Sequence, residues 1–406
     1  MLNLILAAIA FFGYNARGIG LAGALTGEDA GPQSGYYNPA MLSFSRARGT
    51  CFNILYAGLF AGNSAFSVND INNYFQEGKL LDSGDKRYLL GRIGPKLKAA
   101  GRGEVSIFGF KTSGFAISLE GFADLDANLY GKLFDLVLNG NQLGSVYHFT
   151  KLNNYGTAYI TLDFAFSKSF GIHLFGPVKR LSLGAGIKAI RGIAYARLEN
   201  LDITLSTDTN YIYIDGSGSL ITSMGGSGVG FDIGFGLETD RWSFGISILN
   251  IGAKVKWTES DSVVIFTVHS DSFTIGELID NPDTIIKDTI WTEPAEPFYS
   301  KLPLEFRMGL GSRMFGDKIR VFGDFVYRSG QIYSERKLGL ATEMRYIPFL
   351  PVRFGMAFTN RGNYYTTGVG LRLLKVSIDA GFAFYRGIFN STRGLKAGLD
   401  LGINLP

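Results

Sequence analysis

The final stretch of the chain, Leu395–Leu405, reads LKAGLDLGINL. Leu395, Ala397, Leu399, Leu401, Ile403 and Leu405 fall on one face, and Lys396, Gly398, Asp400, Gly402 and Asn404 on the other. A period of two with one apolar face describes a strand whose sides meet different surroundings. Working backwards, Val229, Phe231, Ile233, Phe235 and Leu237 oppose Gly230, Asp232, Gly234, Gly236 and Glu238. Leu181, Leu183, Ala185 and Ile187 likewise oppose Ser182, Gly184, Gly186 and Lys188. Similar dyads recur near 158–167, 242–248, 304–311, 319–327, 338–346, 352–359, 366–373 and 376–385.

A soluble sandwich would show the same alternation, so connection lengths decide the class. About fourteen strands can be laid out, near 51–60, 104–110, 115–123, 155–168, 180–192, 229–238, 241–251, 302–312, 318–328, 336–346, 351–359, 366–373, 375–385 and 395–405. Their connections alternate. Long loops are expected at 63–103, 124–154, 193–228 and 252–301, with Val263–Val268 placed inside the last, and tight turns at 111–114, 239–240 and 374–375. Short turns at one end, longer loops at the other and an even strand count are the pattern of a transmembrane antiparallel barrel. The fold class is therefore all-β, with both termini at the short-turn end.

Composition agrees. Among 406 residues, 54 are Gly and 14% are aromatic, and no later apolar run is long enough for a transmembrane helix. The net charge of +4 is small and dispersed, which argues against nucleic acid; basic loop residues equally suit lipid phosphates. One cysteine, Cys51, allows no intrachain disulfide and lies far from the leader, against a lipoprotein anchor. Residues 1–12 form a short apolar run ending near Ala8-Ile9-Ala10, which reads as a signal peptide. It lacks a basic residue before its core, which reads as either a misplaced start codon or a truncated leader.

Between leader and strands lies Arg17–Leu42, RGIGLAGALTGEDAGPQSGYYNPAML. Its small residues let the backbone turn tightly and approach other backbone, and Pro39 holds Asn38 away from helix. It cannot bury much apolar area alone, so it is expected to fill the lumen as a plug spanning 13–50, with the barrel at 51–406. Here a resemblance appears. Gly23, Gly27, Asp29, Ala30, Asn38, Pro39 and Ala40 stand in an order that resembles the N-terminal hatch of the FadL family of outer-membrane transporters. The same segment is equally similar to the start of the PorV-like barrels of Bacteroidetes-type secretion systems. The resemblance independently implies about fourteen strands.

On the inner face, register about Gly316 sets Arg307 near Asp324, and Glu343 near Arg345 or Arg353. Asp163, Lys188, Asp232, Arg320, Arg372 and Asp379 also point inward. These charges read first as structural ladders, because buried charges must pair or be hydrated. A hairpin centred on Thr112-Ser113 points Val105 and Ile107 inward, beside a lateral exit near the second and third strands where Gly121 bends the wall. Leu125, Leu129, Leu133, Leu136 and Val137 recur at helical spacing, predicting a loop helix. Such a helix packs on the rim or, as the resemblance implies, walls a greasy capture groove with Val105, Ile107, Leu125, Leu129 and Leu133 as ligand contacts.

Enzyme chemistry finds no footing. His148, His173 and His269 lie in separate connections, none with metal-ligand spacing or a Ser-acid partner. The G-x-G repeats precede no phosphate-binding helix. No metal or cofactor is expected. The resemblance implies passive transport of hydrophobic, fatty-acid-like molecules across a bacterial outer membrane. Two alternatives stand beside it: a PorV-like partner of secreted proteins, and a purely structural barrel. The expected surroundings are outer-membrane lipid, a hydrophobic small molecule or a secreted protein, with no nucleic acid and a monomeric state.

Overall fold

The computed structural model describes residues 15–44, 49–171, 178–208, 211–259, 261–271, 273–274, 286–330 and 334–405. The leader at 1–12 and His173 fall outside these. Among the described residues eighteen strands occur, in chain order β1 Thr50–Asn63, β2 Lys96–Thr112, β3 Phe115–Tyr130, β4 Val146–Thr150, β5 Tyr155–Gly171 and β6 Arg180–Thr207. Next come β7 Ile212–Glu238, β8 Trp242–Trp257, β9 Ser262–Ser270, β10 Ile286–Pro294, β11 Phe298–Lys301 and β12 Leu304–Met314. The last six are β13 Ile319–Ser329, β14 Ser334–Met344, β15 Val352–Thr359, β16 Gly362–Leu373, β17 Val376–Tyr385 and β18 Gly394–Leu405.

Fourteen of these close a ring. β1 pairs on one side with β2 (Cys51↔Lys111) and on the other with β18 (Thr50↔Leu405), so the sheet has no edge at its seam. From β2 the antiparallel order runs β3, β5, β6, β7, β8, β12, β13, β14, β15, β16, β17 and β18. A closed ladder pairs every backbone group without water, which is the condition for crossing a bilayer. The outward residues form an exposed apolar band that includes Leu59, Val229, Phe231, Ile233, Phe354, Phe382 and Leu399. The fold is a fourteen-stranded transmembrane barrel, and each of the fourteen anticipated strands is present.

The long-loop end differs from its sequence reading in two places. The loop expected at 193–228 is instead a hairpin: β6 and β7 stay paired to Thr207↔Ile212. Here β-rich runs such as Ile203-Thr204-Leu205 and Tyr211-Ile212-Tyr213-Ile214 are broken by Gly and Ser, which reads as loop. β4 adds to β6, β9 to β7 and β10 to β9, extending the antiparallel sheet beyond the ring. The helix expected over Leu125–Val137 starts later. β3 runs to Tyr130, and helix α4 spans only Gly131–Asn139. Asp124, Asp126 and Asn128 alternate with Leu125, Ala127 and Leu129, so a period of two overlies the 3.6 spacing there.

Three further α-helices occur among the described residues: α1 Ala16–Gly20, α2 Val68–Tyr74 and α3 Ser83–Ile93. The Ser67 hydroxyl caps α2 by accepting from Asp70 N at 3.2 Å. Asp82 caps α3 by accepting from Asp85 N at 2.8 Å. With α4 they enclose a small apolar core on Phe66, Leu89, Ile93 and Leu97. Asp70 ties that cap together, accepting from Tyr88 (2.8 Å) and Arg92 (2.9 Å). Burial tends to raise its carboxyl, but bonds from Ser67, Tyr88 and Arg92 outweigh it and leave it below the usual carboxylate range.

Sidedness follows and is testable. Trypsin confined to the long-loop side of the membrane should cut after the exposed Lys79 and spare Arg241 and Lys375, which lie at short turns. Cleavage at those two turns with Lys79 intact would invert the topology.

Candidate functional site

Residues 15–44 lie inside the ring. Almost all are buried, and their partners come from strands on every side. Arg17 pairs with Glu343 on β14 (3.2 Å), and the Thr26 hydroxyl donates to Asp324 on β13 (2.6 Å). Lys337 on β14 donates to Ala22 O (2.8 Å), Thr366 on β16 to Gly20 O (3.0 Å) and Ser247 on β8 to Tyr37 O (2.6 Å). Arg307 on β12 donates to Gly23 O (3.2 Å) and Tyr36 O (3.4 Å), with Tyr37 under its guanidinium at 4.9 Å. Such convergence from opposite walls places the segment in the lumen.

The seven motif residues all take part or sit beside those that do. Gly23 turns the chain at φ +70, a conformation glycine adopts without cost. Gly27 meets Gly309 of β12 so closely that a Cβ on either would overlap the other's backbone. Asp29 pairs with Lys111, and Ala30 N donates to Ser34 Oγ (3.1 Å). Asn38 accepts from Ala40 N (3.0 Å) and donates to Phe235 O (3.0 Å), while Pro39 opens a short 3-10 turn. Ala40 lies over Gly184, where a Cβ would strike its backbone, and its carbonyl accepts from Ser182 Oγ at 2.6 Å. Inward glycines thus make room for backbone packed on backbone.

The inward charges pair as the register implied. Arg353 reaches Glu343 at 2.7 Å and Asp379 at 2.6 Å, and Arg345 reaches Glu343 at 2.8 Å. Lys188 pairs with Asp232 at 2.7 Å, and Arg307 approaches Asp324 at 3.7 Å.

Above this floor, toward the long loops, is an aromatic chamber. Phe122 stacks on Tyr159 at 5.3 Å and meets Tyr36 at 5.8 Å. Tyr195 lies 5.4 Å from Trp257 and 5.1 Å from Phe298, and Trp257 Nε1 donates to Ser300 Oγ at 2.8 Å. A small cavity of ≈ 40 Å³ is lined there by Tyr155, Tyr159, Tyr195, Val255, Leu302 and Pro303, together with Asp124 and Arg328. None of these side chains stood out in the sequence. The signal was present, since Asp163 facing inward puts Thr161, Tyr159 and Tyr155 on the same face of β5.

The wall beside this chamber is irregular. β8 and β12 pair from Trp242↔Ser312 only to Leu249↔Glu305; β8 then pairs with β11 from Lys254. Across the break, Asn250 (φ +62) donates through Nδ2 to Pro303 O at 2.8 Å, and Leu302 N donates to Ala253 O at 3.0 Å. Proline can offer no ladder donor.

The anticipated ligand contacts fare differently. Val105 and Ile107 point outward, and Ile107 is 50% exposed. The actual turn leaves Lys111 inward, and a bulge between Ser106 and Phe108 carries the parity on to Glu104 and Arg102. These two fill the inner face because Glu104 accepts from Tyr56 (2.8 Å) and Lys396 (2.7 Å). The β2–β3 ladder runs from Lys96↔Tyr130 to Thr112↔Phe115 with that single bulge, so the wall is closed there. Leu125 is on β3 and faces outward, Leu129 packs beneath α3 and α4, and Leu133 is on α4, partly exposed. The three therefore share no helix face. A surface groove does run beside α4, lined by Leu90, Pro95, Lys96, Tyr130, Lys132 and Asp135. His148 and His269 sit on β4 and β9, each beside its own aspartate, and no metal-binding group occurs among the described residues.

A model of one protein family matches residues 39–226 and 214–378, most of the chain. The chain belongs to that family, a family of unknown function (DUF5723). No curated protein matches. Solved structures of similar fold are known. The toluene transporter TbuX of Ralstonia pickettii superposes with a TM-score of 0.52 at 15% identity, over 100% of both chains. The P. putida toluene transporter TodX gives 0.54 at 13%, covering 98% of this chain and 99% of that one. A Pseudomonas aeruginosa FadL homologue gives 0.54 at 12%, with 98% and 99% covered. At these identities the likeness establishes the barrel fold of this DUF5723 member.

Proposed function

We propose that this protein carries hydrophobic small molecules passively across the outer membrane of a bacterial cell. The observation that supports this reading most is the aromatic chamber above a lumen filled by residues 15–44, set against an interrupted ladder between β8 and β12. Tyrosine and tryptophan rings offer an apolar ligand flat contact surface, while the charged floor excludes it. Substrate then enters from the long-loop side, rests in the chamber and leaves sideways past Asn250 and Pro303. Structural neighbours named as toluene transporters and a FadL homologue support the same class of cargo. Residues 15–44 act as the plug.

The test is uptake in cells dependent on this protein, using toluene and a long-chain fatty acid in parallel. Tyr159→Ala with Tyr195→Ala should lower uptake about tenfold, equivalent to about 1.4 kcal/mol, with the barrel's melting unchanged. Unaltered uptake of both ligands would sink the transport reading in favour of a structural barrel. A second reading, a docking role for a secreted protein, is favoured by β10, which pairs only with β9 among the described strands and carries Ile290 68% exposed. A secreted protein recovered with the native barrel but not with an Ile290→Asp variant would support it.

A further inference from the structure

At the outer ends of β14, β17 and β18, Arg336, Arg386 and Arg393 form no ion pair within 4.0 Å with a carboxylate among the described residues. On β17 the outward residues are Val376, Ile378, Ala380, Phe382 and Phe384; the strand ends at Tyr385, and the exposed Arg386 follows it at the rim with its guanidinium 5.3 Å over the Tyr385 ring. On β14 the outward column runs Met344, Thr342, Leu340, Leu338 and then Arg336, which is exposed. Arg336 thus tops a membrane-facing column and Arg386 the adjoining rim, both at the height of lipid headgroups and three strand spacings, about 14 Å, apart.

The connection between β17 and β18 adds a second cation and an apolar tip. Arg386 Nη1 and Arg393 Nη1 donate to the same carbonyl, Ser64 O, at 3.3 and 2.7 Å. Arg386 Nε also donates to Arg361 O at 3.0 Å. Carbonyls hold these guanidiniums side by side without an ion pair, although the Asp70 carboxylate of α2 acts on Arg393. Burial, followed by the nearby charges of Arg92 and Arg386, pushes the Arg393 guanidinium below its ordinary value. In the same loop Ile388 is 43% and Phe389 74% exposed, and the Phe389 ring lies 5.6 Å from Phe384 of the membrane face. Arg386 and Phe389 are both held at φ +53, unusual for side chains of this size.

We propose that this rim binds the phosphorylated headgroup of an outer-leaflet lipid. Arg386 and Arg393 grip a phosphate, Arg336 supplies a further cation along the rim, and Ile388 and Phe389 rest among the acyl chains. A guanidinium fork matches phosphate oxygens two at a time, and basic clusters at membrane boundaries recognise anionic headgroups. The apolar tip distinguishes a lipid from a free anion.

The test is native mass spectrometry of the full-length barrel in neutral detergent, with lipid A as probe. Wild type should retain lipid A, and the Arg386→Gln/Arg393→Gln double variant should retain about tenfold less. Arg336→Gln should show a smaller loss, and Arg241→Gln, at the opposite end, none. Dephosphorylated lipid A should not be retained by wild type, a comparison that holds even if a variant folds poorly. Equal retention by the double variant, or displacement by equimolar inorganic phosphate, would overturn the proposal. The inference rests on the outer-membrane reading. A protein recovered in the soluble fraction defeats that reading, whereas an inserted barrel indifferent to lipid phosphate defeats only this proposal.

Discussion

Replacing Glu343 with alanine should cost the barrel about 3–5 kcal/mol and loosen the segment inside it. The carboxylate is fully buried among four arginines: Arg353 at 2.7 Å, Arg345 at 2.8 Å, Arg17 at 3.2 Å and Arg320 at 4.0 Å. Arg353 is itself fully buried, so without Glu343 it keeps only Asp379, already shared with Arg372. Breaking a buried pair from one side leaves a charge with neither water nor partner, which is why truncation costs more than the pair's net worth. Arg17→Ala should cost less, about 1 kcal/mol, because Glu343 then retains three guanidiniums. The double variant should fall well short of the sum, since both changes act on one network. Thermal unfolding in detergent, read by heat-modified gel mobility, is the measurement. A Glu343→Ala barrel melting within about 2 °C of wild type would show that water replaces the carboxylate.

Much of this arrangement was legible because strand parity is strict. Once Leu395 and Leu399 face lipid, Lys396 and Asp400 must face inward, and the turn at Gly316 then fixes Arg307 near Asp324. Glycine was legible in number but not in purpose. Gly184, Gly309 and Gly234 look like weak strand residues until the backbone of Gly27, Asn38 and Ala40 is seen against them.

Single-residue insertions defeated the reading elsewhere. The bulge after Ser106 shifts the β2 alternation by one, so Val105 and Ile107, assigned to the lumen, lie against lipid. A sequence shows a bulge only as a break in pattern, and Val105-Ser106-Ile107-Phe108 breaks nothing obvious. The chamber was missed for a related reason. Tyr159, Tyr195 and Trp257 sit on three strands that a bulge at Ile193 and the register shifts of β8 against Val229–Ile233 bring level, and no one-dimensional spacing connects them. The outer part of the sheet escaped because polar and glycine residues dominate Asp215–Ser219, while its pairing with Ser217↔Thr267 is long-range.

Deleting residues 15–44 should turn a nearly closed barrel into an ion-conducting one, with conductance in planar bilayers rising about tenfold or more. The closed ladder does not depend on the deleted segment, because each strand pairs on both sides with its neighbours in the ring. The inward charges left behind would be hydrated, which favours a water-filled lumen over collapse. Deletion alone would not separate displacement of the segment from general damage. Wall substitutions do. A Cβ at Gly184 meets the backbone of Pro39 and Ala40, and one at Gly234 meets Asn38. Gly184→Val with Gly234→Val should therefore unseat the intact segment and raise conductance part-way, without removing a single charge. Gly323→Val is the control, since its nearest neighbour is Leu340 Cδ2 at 3.7 Å on the outer face. It should change nothing. If the deletion and the double valine variant both conduct like wild type while still inserted, residues 15–44 do not gate the lumen, and transport must bypass it through the wall at β8 and β12 alone.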